Sequence, residues 1–161
     1  MPWRIFGPLL VLVLVGQSSA RAQVIAQRLR NDVPAVTQLL PVGLARGQSA
    51  ELTVVGERLE GIDRLFGLPG VKVAKAEGDG KQAKLTVEVA ADAPLGIYAC
   101  YFLGQSGLSN PKLVRIDAWS QTQEHEDNNR QSEATPLTLP CGVSGVLSAA
   151  DQDWFRFEAS A

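Results

Sequence analysis

Apolar and polar residues alternate in short runs along most of the chain, and glycine or proline ends almost every run. The clearest alternation follows Gly78-Asp79-Gly80, with Ala83, Leu85, Val87 and Val89 on one face and Lys84, Thr86 and Glu88 on the other. A period of two is typical of a half-buried β-strand, and the Gly-Asp-Gly sequence is typical of a hairpin turn. Strands are predicted at 34–40, 51–55, 59–66, 71–76, 83–89, 97–103 and 112–118.

The density of these strands predicts the fold class. Roughly seven strands in about ninety residues, with frequent turn signals between them, are typical of an immunoglobulin-like β-sandwich, which we assign to 34–118. No stretch after Ala22 keeps the period of an amphipathic helix. The chain is therefore expected to be all-β.

A second, shorter group of strands follows a polar segment. Residues 119–133 form an acidic linker, with no aliphatic residue from Ser120 to Ser132. Alternation resumes at 134–139, 143–147 and 154–158. The roughly forty residues after the first sandwich are close to the ~40-residue floor for independent folding. Residues 134–161 are therefore expected to be the start of a second, truncated β-sandwich.

The N-terminal residues have the pattern of a signal peptide. A basic start precedes an apolar run at Ile5–Val15, and Ala20-Arg21-Ala22 supplies a small-x-small cleavage site. The run is shorter than the ~20 residues of a membrane span, although a retained N-terminal anchor is the alternative. We predict a signal peptide at 1–22, a leader at 23–33, and a secreted, periplasmic or cell-surface protein without a membrane span after cleavage.

The charge balance limits the class of partner. Cleavage after Ala22 removes Arg4 and Arg21 but no acidic residue, so the 17 Asp and Glu residues outnumber the remaining Lys and Arg. The arginines that remain are scattered singly and form no basic patch to replace the counterions of a nucleic acid. Nucleic acid is therefore not expected as a partner, and the oligomeric state stays open.

The two cysteines, Cys100 and Cys141, leave two alternatives. An even number in an exported protein is consistent with a disulfide, which would tie the two β-segments together. Two free thiols are the other alternative, because spacing alone does not establish disulfide geometry. With a single histidine in the chain, a zinc site built from Cys and His has too few ligands.

Motifs for catalysis are absent from the sequence. The sole histidine, His125, lies in the acidic linker, whereas a nucleophilic triad needs a base beside its nucleophile. Gly104-Gln105-Ser106-Gly107 and Gly142-Val143-Ser144-Gly145 both lack the Gly-x-Ser-x-Gly spacing of a nucleophile elbow. Asp151 and Asp153 could be paired carboxylates of a glycosidase, but an exposed turn before a strand explains them more simply. The chain is predicted not to be an enzyme.

The first β-segment resembles a known family. Its motifs are Pro41-Val42-Gly43, Arg46-Gly47, Leu52-Thr53-Val54-Val55-Gly56 and Leu59, followed by Ala93-Pro94-Leu95-Gly96-Ile97-Tyr98 and Gly107-Leu108-Ser109-Asn110-Pro111. Their order is similar to that of IPT/TIG-type Ig-like domains in secreted bacterial proteins. This resemblance implies an immunoglobulin-like sandwich over roughly Pro34–Ala118.

The second β-segment resembles another family. From Glu124 to Ala159 the chain has Glu-x-Glu-x-Asn-Asn, then Leu-x-Leu-Pro, Val-x-Gly-x-Leu and Asp-x-Asp-Trp-Phe-x-Phe. This order is similar to the start of a bacterial pre-peptidase C-terminal (PPC) domain. Such a domain needs several more strands to cover the face that carries Trp154 and Phe157, so the segment is expected to be incomplete.

The acidic linker also concentrates oxygen ligands. Ca²⁺ takes roughly six to eight oxygens from carboxylates, amides and carbonyls. The linker and the turn before the last predicted strand supply them through Glu124, Glu126, Asn128, Asn129, Asp151 and Asp153. The alternative is a solvated linker that binds nothing, because charged runs between domains are common.

The PPC resemblance implies the same ligands. In collagen-binding relatives of that domain, the residues that match the Glu-x-Glu-x-Asn-Asn run and Asp153 chelate Ca²⁺. This chain departs from the pattern at Asp127, where Pro is usual, and at Ala150, where a second Asp ligand is expected. Asp151 is the candidate substitute for that second ligand.

Aromatic residues suggest one more alternative, a carbohydrate platform. Most aromatic side chains should pack inward, because alternation gives each strand one buried set. Tyr101 has the opposite parity from Phe102, and Phe155 the opposite parity from Trp154 and Phe157. Tyr101 and Phe155 are therefore the two residues expected on the outer faces.

The sequence thus predicts a secreted, non-catalytic binding and spacer protein of the bacterial envelope or exterior. Its strand faces and loops would engage an extracellular protein or polysaccharide, and Ca²⁺ is the candidate cofactor. The rival hypothesis is an accessory region of a secreted peptidase or other hydrolase whose catalytic domain is absent from this chain. The PPC resemblance supports the rival, since PPC domains commonly flank secreted proteases.

Overall fold

The computed structural model describes residues 32–159, and the predicted signal peptide and the leader up to residue 31 lie outside them. The described chain contains a single 3₁₀ turn at Gln131–Glu133 and no helix long and apolar enough to cross a membrane. Its strands are β1 (Ala35–Leu40), β2 (Gly43–Ala45), β3 (Ser49–Glu57), β4 (Arg64–Phe66), β5 (Val71–Gly78), β6 (Gln82–Val89), β7 (Gly96–Gly104), β8 (Gly107–Leu108), β9 (Lys112–Asp117), β10 (Ser120–Gln123), β11 (Thr135–Pro136), β12 (Cys141–Ser144) and β13 (Phe155–Arg156).

The first nine strands form two sheets whose inward side chains share one core. One sheet has the order β1-β3-β6-β5, with antiparallel neighbours throughout. The other has the order β2-β9-β7-β4, in which β2 runs parallel to β9 and the short β8 pairs with β7. In chain order these are the A-B-E-D and G-F-C strands of an immunoglobulin-like sandwich, with β2 added beside G. The predicted all-β sandwich is confirmed.

The core forms because each strand turns its apolar positions to the same side. The alternation predicted from the sequence of β6 is confirmed, since its apolar positions are buried and Lys84 and Glu88 are exposed. Each buried aliphatic or aromatic side chain contributes about 1.5–3 kcal/mol relative to an exposed one. The innermost side chains of this core, with at most 1% of their surface exposed, are Leu44, Leu52, Val54, Leu59, Leu85, Val87, Ala93, Cys100, Phe102, Val114 and Ile116.

Tyr98 fixes the turn that leads into β7. Its hydroxyl donates a 3.1 Å hydrogen bond to the carbonyl of Pro94, four residues earlier. A tyrosine at the start of the sixth sandwich strand that bonds back to the preceding turn is the tyrosine corner of immunoglobulin-like domains. Cys100, two residues further on, is fully buried. This local geometry agrees with the fold that the strand order defines.

The outer edge of β1 is covered by a side chain. Asn110 accepts a 2.7 Å hydrogen bond from the Val36 N–H through Oδ1 and donates a 3.0 Å bond to the Val36 carbonyl through Nδ2. Lys112 donates a further 2.7 Å bond to the carbonyl of Thr37. An open strand edge is a template for pairing with another chain, so these contacts close part of the edge.

The last four strands form two small parallel pairs, β10 with β12 and β11 with β13. β10 and β12 lie beside β2, and residues from Pro34 onward group as one compact unit. The buried Ser144 hydroxyl accepts a 3.2 Å hydrogen bond from the Val42 N–H, which joins β12 to the residue before β2. β10 falls inside the predicted linker at 119–133, and the predicted domain boundaries stay a prediction.

Glycine allows β2, β10 and β12 to approach each other. The carboxamide of Gln121 lies where Gly43 of β2 and Gly142 of β12 carry no side chain. A Cβ atom on either glycine would overlap that carboxamide. Gln121 Nε2 also donates a 3.1 Å hydrogen bond to the carbonyl of Trp119. The Gln121 side chain, which packs against both glycines, therefore sets the spacing of the three strands.

Two details of the sequence predictions are wrong, one before β4 and one around β13. The strand predicted at 59–66 is β4 alone, and Leu59 and Ile62 are buried from the loop before it. Trp154 and Phe157 were expected to pack inward but are 42% and 59% exposed. The reason is that β13 spans two residues, and within 32–159 its pairing partner is the equally short β11.

Candidate metal centre

Two segments meet at the end of the β10–β12 pair. The first, 124–129, follows β10, and the second, 145–153, lies between β12 and β13. The Gln152 N–H donates a 3.1 Å hydrogen bond to Asn129 Oδ1, and the Trp154 N–H donates a 3.0 Å bond to the Asn128 carbonyl. Residues more than twenty positions apart are therefore held next to each other by backbone contacts.

The two segments bring three carboxylates together. One oxygen from each of Glu126, Asp151 and Asp153 lies within 4.8 Å of the others. Oxygens that share a Ca²⁺ ion sit about 2.4 Å from it, so opposite ligands are about 4.8 Å apart. The spacing of the three carboxylates fits a shared cation. Glu126 is exposed, and the two aspartates are half-buried.

Glu124 lies next to this cluster, beside Asp153. Its Oε1 accepts a hydrogen bond from the Val146 N–H, and its backbone N–H donates a 3.0 Å bond to the carbonyl of Ser144. Its other oxygen, Oε2, is buried and has no hydrogen-bond partner. Among the described residues, Asp153 Oδ1 and Asn128 Oδ1 share this property. A buried oxygen without a partner typically costs about 1–3 kcal/mol, so such atoms call for an explanation.

The carboxylates of the cluster repel each other. Loss of hydration raises the pKa of Glu126, and the charges of Asp151, Glu124 and Asp153 raise it further. Loss of hydration, followed by the charges of Glu124 and Asp151, likewise raises the pKa of Asp153, and the close approach of the Glu124 carboxyl group, within hydrogen-bonding reach, adds to the rise. Within residues 32–159, no ion pair joins a Lys or Arg side chain to any of these four carboxylates. Among the described residues, the negative charge of the cluster is therefore not compensated by an ion pair.

Asp151 is held differently from its neighbours. Hydrogen bonds from the backbone N–H and the hydroxyl of Ser148, each 3.1 Å long, reach its Oδ2. The backbone N–H of Gln152 donates a 3.0 Å bond to its Oδ1. These donors lower the pKa of Asp151, with the Ser148 N–H as the largest cause. These bonds hold the Asp151 carboxylate in place and favour its ionised form, near the carboxylates of Glu126 and Asp153.

The residues expected from the sequence have different positions in this arrangement. Glu126, Asp151 and Asp153 lie together with Glu124 beside them, and Asp151 is in the cluster although Ala150 occupies the position where the PPC resemblance implies Asp. The Asn128 side chain is fully buried, and its Nδ2 donates a 3.4 Å bond to Thr135 Oγ1. The Asn129 side chain bonds to the Gln152 backbone instead. His125 is exposed.

The contacts that hold Glu124 were missed by the sequence analysis. Ser144, Gly145 and Val146 all contact this residue, by hydrogen bonds or by close approach. The signal was present in the sequence as Val-x-Gly-x-Leu, but a glycine after a strand is equally typical of an ordinary turn. Only the parallel pairing of β10 with β12 brings this sequence beside Glu124.

The cysteines and aromatic residues contribute little to this site. Cys100 and Cys141 are free thiols in the structure, and burial raises the pKa of Cys100 to about 12. Their pairing stays a prediction. Tyr101 and Phe155, the two residues expected on the outer faces, are half-buried.

The fold and the site together define an all-β, immunoglobulin-like sandwich with an acidic, oxygen-rich centre on its C-terminal strand pairs. No protein-family model matches the chain, and neither does any curated protein. Among solved structures, the chain is similar to the Bacteroides ovatus mixed-linkage glucan utilization locus protein SGBP-B, solved in complex with a mixed-linkage heptasaccharide. The identity is 12% and the TM-score 0.42, over 58% of this chain and 24% of that chain. The match spans about a quarter of that protein, and likeness at this level carries no functional argument.

Proposed function

We propose that this protein is a non-catalytic binding and spacer protein of the bacterial exterior, in which Ca²⁺ organises the segment after the sandwich. The observation that supports the proposal is the pair of buried oxygens without a hydrogen-bond partner, Glu124 Oε2 and Asp153 Oδ1, on residues whose charges act on Glu126 in the same acidic cluster. A cation would give the carboxylate oxygens a partner and offset their repulsion. The IPT/TIG resemblance supports the binding role, and the PPC resemblance supports the Ca²⁺ ligands.

The donor set favours Ca²⁺ over other metals. Every candidate ligand is a carboxylate or amide oxygen, which hard cations prefer, and the candidates include no thiol or imidazole. Mg²⁺ requires a near-ideal octahedron and keeps several waters, whereas Ca²⁺ accepts the irregular geometry that ligands from two loops provide. Glu124, Glu126, Asp151 and Asp153 would hold the ion.

Bound Ca²⁺ would act as a structural cross-link between two segments of the chain. It would join 124–129 to 145–153, two segments that otherwise depend on a few hydrogen bonds. A ligand that binds the folded state alone stabilises it by about 2.7 kcal/mol at a concentration 100 times its Kd. A rigid C-terminal segment would keep a fixed orientation relative to the sandwich, as a spacer requires.

The first test is the thermal midpoint of the full chain in Ca²⁺ and in a chelator. We expect Ca²⁺ to raise Tm by several degrees, as about 2.7 kcal/mol implies for a domain of this size. Asp153→Asn should abolish the rise. Asp92→Asn, which removes an exposed carboxylate from the sandwich, should preserve it. Identical midpoints of the unmutated protein under both conditions would contradict the Ca²⁺ proposal.

The binding role needs a separate test. The protein is run in Ca²⁺ on native gels, each cast with one of a panel of soluble bacterial and plant polysaccharides. We expect at least one polysaccharide to retard the protein. Surface-coupled protein presented with purified extracellular-matrix and envelope proteins tests the other class of partner. If neither assay detects binding, the binding role is wrong, whatever the thermal midpoints show.

A further inference from the structure

Gly145 lies directly beneath the carboxylate that faces the cluster. A Cβ atom at this position would overlap Cδ and both carboxylate oxygens of Glu124. The backbone of Gly145 is outside the left-handed region, so its dihedral angles do not require glycine. The position requires glycine for space alone, and the space is filled by one side chain.

The neighbours of Gly145 hold Glu124 on both sides. Ser144 accepts the Glu124 N–H at 3.0 Å, and the Val146 N–H donates to Oε1. These contacts fix the main chain and one carboxylate oxygen of Glu124. The remaining oxygen, Oε2, is the buried one without a partner. Its direction is therefore set by the Ser144-Gly145-Val146 segment.

The same carboxylate acts on the rest of the cluster. Glu124 is among the charges that raise the pKa of both Asp153 and Glu126. Glu124 thus lies next to Asp153, one of the three carboxylates that are within 4.8 Å of one another. If the Glu124 side chain pointed away from the cluster, the site would lose one candidate ligand oxygen.

We propose that Gly145 is a positioning residue of the cation site, and that its missing side chain seats the Glu124 carboxylate so that Oε2 points toward the shared ion. This inference rests on the proposed Ca²⁺ function. A residue that orients a metal ligand typically changes metal affinity about 10- to 100-fold when it is replaced. Gly145→Ala should therefore weaken Ca²⁺ binding by at least about tenfold, without removing any ligand.

The chain offers a matched control. A Cβ atom at Gly80, in the turn between β5 and β6, would overlap the carboxylate of Glu60, and Gly80 is likewise outside the left-handed region. Gly80→Ala therefore makes the same chemical change against the same kind of side chain. Glu60 belongs to the sandwich and not to the acidic cluster.

The experiment is calorimetric titration of the chelator-treated full chain with Ca²⁺. We expect Gly145→Ala to raise the Kd at least about tenfold, Gly80→Ala to leave it unchanged, and both to keep the Tm of the metal-free protein near that of the unmutated chain. A Gly145→Ala protein that binds Ca²⁺ as tightly as the unmutated chain overturns the inference alone. An unmutated chain that binds no Ca²⁺ overturns the proposed function and this inference with it.

A double-mutant cycle tests whether Gly145 acts through Glu124. Glu124→Ala removes the carboxylate that a side chain at 145 would displace, so Gly145→Ala should have no further effect on Kd in that background. An equal loss in both backgrounds contradicts the inference. If Gly145→Ala alone is unfolded by circular dichroism, a folded Glu124→Ala/Gly145→Ala protein supports the contact. An unfolded double variant contradicts it.

Discussion

In the sandwich, the side chains with no exposed surface are almost all apolar, whereas the most buried side chains after Asp117 are largely polar. Leu52, Leu85 and Phe102 are each 0% exposed, and so is Asn128 in the C-terminal segment, followed there by Ser144 at 2%. The large apolar residues of that segment are on its surface, with Leu147 72% exposed. Both regions have similar alternation in sequence, but they are stabilised by different contacts.

This difference determines how each region should respond to its conditions. Burial of apolar surface is non-directional and nearly independent of ions. A cluster of uncompensated carboxylates with unpartnered oxygens depends instead on pH, on salt and, in our proposal, on a cation. The contacts within the sandwich should therefore keep their strength across conditions that change the contacts of the C-terminal segment.

The largest expected effect comes from replacing one phenylalanine in each region. Phe102→Ala removes a side chain that is 0% exposed, and Phe157→Ala removes one that is 59% exposed. Phe102→Ala should lower the free energy of unfolding by about 3–5 kcal/mol, because it leaves a cavity in the core. Phe157→Ala should change it by no more than about 0.5 kcal/mol. Urea unfolding of both variants measures the difference, and equal losses would contradict the comparison.

The sandwich was predictable because alternation reports burial directly. Ala83, Leu85, Val87 and Val89 have a period of two, and all four are buried in β6 as expected. β2 and β10 were missed for a physical reason: they are short, and β10 is Ser-Gln-Thr-Gln without an apolar position. Their pairing depends on the fit of Gln121 against Gly43 and Gly142, which is a tertiary contact.

The candidate site was predictable in its residue types but not in its construction. Oxygen ligands around Glu124 and Asp153 are visible in sequence as a local concentration of acidic and amide residues. The support for Glu124 comes from Ser144 and Val146, about twenty positions later, and only the β10–β12 pairing brings them together. Asn129 Oδ1 accepts a hydrogen bond from the Gln152 N–H, as Asp151 Oδ1 also does, and its role as a ligand stays a prediction. Local pattern carries no information on which oxygen is already occupied.

The next prediction concerns a polar contact within the sandwich, which the Asn110 side chain makes. It tests whether a polar contact in the sandwich also responds to Ca²⁺. Asn110→Ala removes both hydrogen bonds to Val36, which is 3% exposed, and leaves its backbone groups unpaired at the edge of β1. We expect a loss of about 1–3 kcal/mol in the free energy of unfolding. Unlike the effect of Asp153→Asn, this loss should be the same in Ca²⁺ and in chelator. A loss that depends on Ca²⁺ would mean that the two regions are not separable.

The smallest expected effect reverses sign with the cation. The pKa of Glu126 is raised above its ordinary value of 4.5, so in the absence of metal its charge opposes folding at neutral pH. That opposition is fully present above the raised pKa and disappears as the pH falls toward 4.5. In chelator, Glu126→Gln should therefore raise Tm slightly at pH 7, and the rise should vanish near pH 4.

In saturating Ca²⁺ the same substitution removes a ligand, so Glu126→Gln should lower Tm at pH 7. Glu88→Gln, an exposed carboxylate on β6, should show neither response. The readout is Tm of the three proteins at pH 7 and pH 4, in chelator and in Ca²⁺. A change of one sign under both conditions at pH 7 would show that Glu126 does not face the ion. The acidic cluster would then be a solvated surface, and the C-terminal segment would depend on its backbone hydrogen bonds alone.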